Sequence, residues 1–131
     1  MTANRSASPK QLVAGRAPAR TALARAKARL DPLALYRSPV RIDHVRLVVC
    51  GWLFRLPWFR RFDGYAMWNV ILLRSGQLSA DEDLICHELC HVWQMQHHPV
   101  RMPLSYLRLG YARNPFEEEA RRAAASGTSR S

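Results

Sequence analysis

Residues 1–30 contain no aspartate, no glutamate and no aromatic ring, although they carry Arg5, Lys10, Arg16, Arg20, Arg25, Lys27 and Arg29. A segment this basic and alanine-rich cannot bury enough surface to fold alone, so it reads as a disordered tail. Residues 126–131 read as a second, frayed end. The tail supplies seven of the charges behind the formal net charge of +10. It can touch nucleic acid or an anionic surface weakly and without sequence preference, or act as a targeting peptide. No apolar h-region is present, which excludes a secretory signal. The apolar run Leu47–Phe54 falls far short of the roughly 20 residues a membrane span needs. Cysteine is scarce as well. Cys50, Cys86 and Cys90 are odd in number and lie in apolar stretches, as buried, reduced thiols in a cytoplasmic protein do. There are no internal repeats, and the length accommodates one core, placed here at residues 31–125.

Glycine and proline are missing from Leu78 to His98, and within that stretch His87-Glu88-Leu89-Cys90-His91 spell H-E-x-x-H. On a helix, residues four apart share a face, so His87 and His91 can point at one Zn²⁺. Glu88, beside the first ligand, can reach a water on that metal and take its proton. Chance yields this pentapeptide in roughly one such chain in a hundred, so the flanks must carry weight. Ile85, Leu89 and Val92 form an apolar stripe that Cys86, Cys90 and Trp93 widen. Ser79 with Glu82 makes a capping box, Asp81, Glu82 and Asp83 suit the positive helix end, and Pro99 forces a stop. The spacing predicts a helix over residues 80–97.

A catalytic zinc takes three protein ligands and keeps one position open. His97 completes a longer histidine spacing, but Gln94 stands where that pattern needs a glycine turn. With Gln94 the helix continues and carries His97 away from His91, while His98 lies about 10 Å further along. Those two histidines otherwise suit a polar helix C-terminus. The other candidates lie in Asn114-Pro115-Phe116-Glu117-Glu118-Glu119-Ala120, where Asn114 and Pro115 announce a helix. Carboxylates belong in that first turn anyway, since Asn114 with Glu117 is itself a capping box. Geometry ranks them. Ala120 and Ala124 can pack closely against another helix and bring Glu117 toward it, Glu119 comes second, and Glu118 points to solvent.

The stretches HELCHVWQ and NPFEEEA together resemble the gluzincins, zinc peptidases with H-E-x-x-H on one helix and a ligand glutamate on a following one. The likeness is nearest to the minimal bacterial minigluzincins and related small HExxHxxQ…NPxExEA domains, and it covers about residues 40–125. It implies His87, His91 and Glu117 as zinc ligands and Glu88 as general base. It also implies a short twisted sheet ahead of the active-site helix, whose edge strand holds peptide substrate extended. One departure stands out. Many relatives place an aspartate four residues after the ligand glutamate to brace a ligand histidine, and this chain has Arg121 there. Another acid, such as Asp63 or Asp83, would then have to orient that histidine.

Ile42–Val49 and Tyr65–Leu73 read as strands, Asp63-Gly64 as a turn, and Pro103–Leu109 with Gly110 as a short helix. The order gives an α+β domain: a short, antiparallel-rich sheet, the H-E-x-x-H helix, then a helix bearing the third ligand. Trp52, Phe54, Trp58, Phe59 and Phe62, interleaved with Arg55, Arg60 and Arg61, read as core hairpin and loop with solvated arginines. A nucleic-acid surface or a membrane-interface belt are the alternatives for that run. Tyr106 and Tyr111 are available to stabilise an oxyanion, and nothing in the sequence chooses between them. The functional expectation is a zinc metallopeptidase acting on peptide or protein. A non-catalytic, zinc-stabilised module with a basic arm for nucleic acid is the competing one.

Overall fold

The computed structural model describes residues 16–128, with helices α1 (Arg16–Leu30), α2 (Glu82–His97), α3 (Arg101–Leu109) and α4 (Pro115–Thr128). Strands β1 (Arg46–Val49), β2 (Gly64–Met67) and β3 (Val70–Leu73) form one sheet in the order β1-β3-β2. β1 runs parallel to β3, pairing Leu47 with Ile71, while β2 is antiparallel to it, pairing Ala66 with Ile71. The architecture is α+β as expected, and the sheet, expected to be antiparallel-rich, is mixed, with one parallel and one antiparallel pairing.

Residues 16–30 do not form a tail. In α1, Ala19, Leu23, Ala26 and Leu30 recur at spacings of four and three, lie buried, and join the core with Ile85, Leu89, Val92 and Trp93. The small side chains at 19 and 26 let α1 approach α2 closely. Its cations are anchors. Arg20 donates to the carbonyls of Ile42 and Val45, and Lys27 donates to the Val40 carbonyl at 2.7 Å while pairing with Asp31 at 2.8 Å. Asp31 in turn accepts from the Val40 amide at 3.0 Å. Arg29 pairs with Glu82 and Asp83 at the start of α2 and donates to the Ala124 carbonyl of α4. The segment therefore belongs to the domain, which extends back beyond the expected boundary at residue 31, at least to residue 16. Residues 1–15 lie outside the described residues. At the other end α4 runs on to Thr128, past the expected boundary at 125.

Leu23 is fully buried. Leu23→Ala should cost about 2–5 kcal/mol, measured as a lowered denaturation midpoint. A midpoint that does not move would place α1 outside the cooperative unit.

Two strand expectations change. Val45 N–H closes a turn onto the Ile42 carbonyl at 3.1 Å, so β1 begins at Arg46 rather than Ile42. The run Tyr65–Leu73 is a hairpin, broken at Trp68 and Asn69. Trp68 sits there in left-handed backbone with φ of 50°, a conformation that costs a non-glycine residue about 1–2 kcal/mol. Its amide reaches Met95 Sδ at 3.3 Å, and its indole N–H donates to the Pro99 carbonyl at 3.2 Å, which ties the hairpin to the end of α2.

The aromatic run after β1 divides. Phe54 is buried and meets Phe59 edge-on, and Phe59 and Phe62 pack with Tyr65. Trp52 and Trp58 stand exposed.

Candidate metal centre

Asp81, not Ser79, caps α2. Its carboxylate accepts from Leu84 N–H at 3.0 Å, whereas the Ser79 hydroxyl donates to the Gly76 carbonyl. The helix starts at Glu82 and runs unbroken to His97, which puts His87 and His91 one turn apart. α4 starts as its sequence signals. The Asn114 side chain accepts from Phe116 N–H at 2.8 Å and donates to the Ser105 hydroxyl at 2.9 Å, fixing the α3–α4 connection to the new helix. Ala120 and Ala123 are buried, so the first two turns of α4 lie close to α2.

This packing delivers the Glu117 carboxylate to both histidines. His87 Nε2 lies 2.8 Å from Oε2 and His91 Nε2 lies 2.9 Å from Oε1. Among the described residues, His87, His91 and Glu117 form a group that can hold a metal ion, their donor atoms all within 4.8 Å of one another. Two bonds of about 2.0 Å at a tetrahedral angle separate donors by about 3.3 Å, so an ion needs the two histidine–glutamate gaps to open slightly and the widest gap of the group to close. Two nitrogens and a carboxylate oxygen also match the donor chemistry of a three-ligand zinc site.

The other candidates lie elsewhere. Glu118 is exposed. Glu119 turns to Gln94 and Tyr36, accepting from Gln94 Nε2 at 2.9 Å and from the Tyr36 hydroxyl at 2.5 Å. His97 is within hydrogen-bond distance of Ser38 Oγ at 3.0 Å and stacks on Tyr36, and His98 sits against Phe116. Cys86 and Cys90 are buried in the core cluster. Burial raises both thiols, Cys86 to about 11.

Neither Asp63 nor Asp83 braces a histidine; they pair with Arg74 and Arg29. Gln94 takes that place. Its Nε2 donates to the Phe116 carbonyl at 2.7 Å and to Glu119, which turns Oε1 toward His91 Nδ1 at 2.8 Å. An amide oxygen can only accept, so His91 donates from Nδ1 to Gln94, which aims Nε2 at Glu117; facing a carboxylate directly, Nε2 carries a proton too, the one a metal would displace. The chain Tyr36–Glu119–Gln94–His91 thus supplies the orientation that an aspartate at 121 would otherwise give. Arg121 instead brings Nη1 to 3.6 Å from Glu117 Oε2. The signal for Gln94 was its position three residues after His91, on the same helix face. Gln94→Leu should lower metal affinity about 10–100-fold, read by competition with a chromophoric chelator. Wild-type affinity in a folded variant would remove Gln94 from this role.

Comparison with protein-family models, curated proteins and solved structures gives no match. The chemistry of the site therefore rests on its own geometry.

Glu88 is buried beside the two histidines, against the edge strand β2. Burial raises its pKa, partly offset by the charges of His91 and His87, while Glu117 pushes it further up and the Ala66 N–H donates to it. Gly64 makes room for it. A Cβ there would stand 3.3 Å from Glu88 Cγ and 3.4 Å from the Leu72 carbonyl. Any side chain at 64 would push on the Glu88 side chain or on β3. Glu117 shows the opposite balance. Burial opposes its charge, yet the hydrogen bonds from His87 and His91 hold it well below the usual carboxylate range. Tyr106 and Tyr111 both donate to it, at 3.1 and 2.9 Å. Burial and the Glu117 charge raise both phenols, so they remain protonated donors.

A cleft of about 550 Å³ opens on Glu88, His91 and Glu117. β2 contributes Gly64, Tyr65, Ala66 and Met67 to its wall, and α3 contributes Met102, Tyr106 and Leu107 opposite.

Proposed function

We propose that the chain is a zinc-dependent metallopeptidase of the gluzincin type, with His87, His91 and Glu117 holding the ion and Glu88 as general base. The observation that carries this reading is the approach of Glu117 to both histidine Nε2 atoms at the floor of a cleft that Glu88 also lines. When bound, Zn²⁺ supplies a Lewis acid that acidifies water and polarises a peptide carbonyl. Glu88 takes the proton from the attacking water and hands it to the leaving amine. Burial moves its pKa upward, the direction that favours a carboxylate which must both take and return a proton. The Ala66 N–H and the space left by Gly64 fix the direction of its carboxylate.

An extended peptide can lie along β2, an edge strand whose residues line the cleft and whose backbone supplies the pairing groups. Tyr106 and Tyr111 bring protonated hydroxyls to the same opening; each donates its one proton to Glu117, and either would serve an oxyanion by turning from that carboxylate. The competing reading, a binding module with an arm over residues 1–30, loses support because Arg20, Lys27 and Arg29 are engaged by the domain itself. Zinc stoichiometry on protein purified free of metal, with a broad peptide-cleavage assay before and after reconstitution, tests the proposal. One ion per chain and metal-dependent cleavage are expected; zinc binding with no cleavage of any peptide would leave only the binding module.

A further inference from the structure

Among the described residues, every large hydrophobic side chain that stands exposed lies in residues 52–68 or 100–109. These segments are the two banks of the cleft. Trp58, Met67 and Trp68 line one side of its mouth and Leu107 the other. Trp58 is 72 % exposed and Leu107 82 %, values that a core-forming indole or isobutyl group does not show. On and just before α3, Val100, Leu104 and Leu107 recur at spacings of four and three, so they form one outward stripe, while Met102 is buried on the other side. Trp68 keeps its exposed indole at a backbone position that favours glycine. Exposed apolar side chains gathered at the rim of one cleft, as Trp58, Met67, Trp68 and Leu107 are, mark a contact site.

Charge selects the occupant. The banks carry exposed Arg55, Arg60, Arg61, Arg101 and Arg108, and exposed Arg113 follows the second. No acidic residue occurs from His44 to Phe62 or from Leu89 to Phe116, and the adjoining Asp63 pairs with Arg74. A second copy placed on this face would set arginine against arginine. Nucleic acid would use the indoles as stacking platforms but has no use for Val100, Leu104 and Leu107. A bilayer interface uses all three kinds of group. Indoles sit at headgroup level, aliphatic side chains enter the acyl boundary, and guanidinium groups meet anionic headgroups. We propose that the rim of the cleft is a docking surface for an anionic lipid bilayer. The contact is peripheral, since no described helix is long and apolar enough to cross a membrane. It brings the mouth of the cleft to the lipid surface, and it holds whether or not the metal group hydrolyses peptides.

The full chain should sediment with vesicles of phosphatidylcholine and phosphatidylglycerol at roughly 2:1, and far less with phosphatidylcholine alone. Trp58→Ser combined with Leu107→Ser should weaken that binding at least about tenfold. Both side chains are exposed, so the circular dichroism spectrum and melting temperature should stay those of the parent. Unchanged vesicle binding by the double variant would overturn the proposal and move the attraction elsewhere in the chain. So would failure of the parent to bind either vesicle. A parent dimer that the double variant turns into a monomer would assign the face to a second copy. Binding to a single-stranded oligonucleotide that vesicles cannot displace would assign it to nucleic acid.

Discussion

Glu88→Gln should keep its zinc and lose peptide hydrolysis, with turnover falling about 10²–10⁴-fold. The change preserves shape, and the new amide oxygen can still accept from the Ala66 N–H in the space beside Gly64. What it removes is a group able to hold a proton between the attacking water and the leaving amine. Zinc should stay because Glu88 is not one of the three donors gathered around Glu117. The measurement is paired: metal per chain by elemental analysis, and cleavage of the same peptide set at matched zinc occupancy. Turnover that survives would dismiss Glu88 as the base, even if the ion remained essential.

Glu117→Gln is expected to act on the other quantity. Zinc affinity should fall by at least about tenfold, because a neutral amide replaces the one anionic donor. The effect reaches beyond a single bond. Glu117 is buried, carries the hydrogen bonds of both histidines and both tyrosines, and has Arg121 nearby. A glutamine in its place must satisfy the same donors with one acceptor oxygen, so Tyr106 or Tyr111 will be left without its partner. Competition with a chelator gives the affinity, and circular dichroism confirms that the comparison is between folded proteins. Unaltered affinity would mean that the ion takes its third protein donor from another residue.

Much of this site was readable from local chemistry. H-E-x-x-H on an unbroken apolar stripe, and Asn-Pro opening a helix with small residues on its buried side, are signals written within a turn or two. α1 was not readable in that way. Its stripe uses two leucines and two alanines among cations, and those cations make sense only beside the carbonyls of Val40, Ile42 and Val45. The start of α2 misled because Ser79 and Asp81 both suit a cap, and the short helical turn over Gly76–Ala80 takes the serine. The hairpin at Trp68 lacked its usual glycine, so two strands read as one. Gln94 read as a residue that merely lets the helix continue. Its orienting role depends on Phe116 and Glu119, which only the packing of α4 on α2 brings to it.

Arg29 reaches from α1 to the start of α2 and to the Ala124 carbonyl of α4, the two helices that carry the histidines and Glu117. α1, which lines no part of the cleft, therefore works as a splint across the two halves of the metal group. By thermodynamic linkage, whatever seats this splint tightens the grip on an ion, and a bound ion stabilises the seated splint by the same free energy. If the group holds zinc as proposed, stripping the ion should therefore also lower amide-exchange protection in α1, a helix that supplies no ligand.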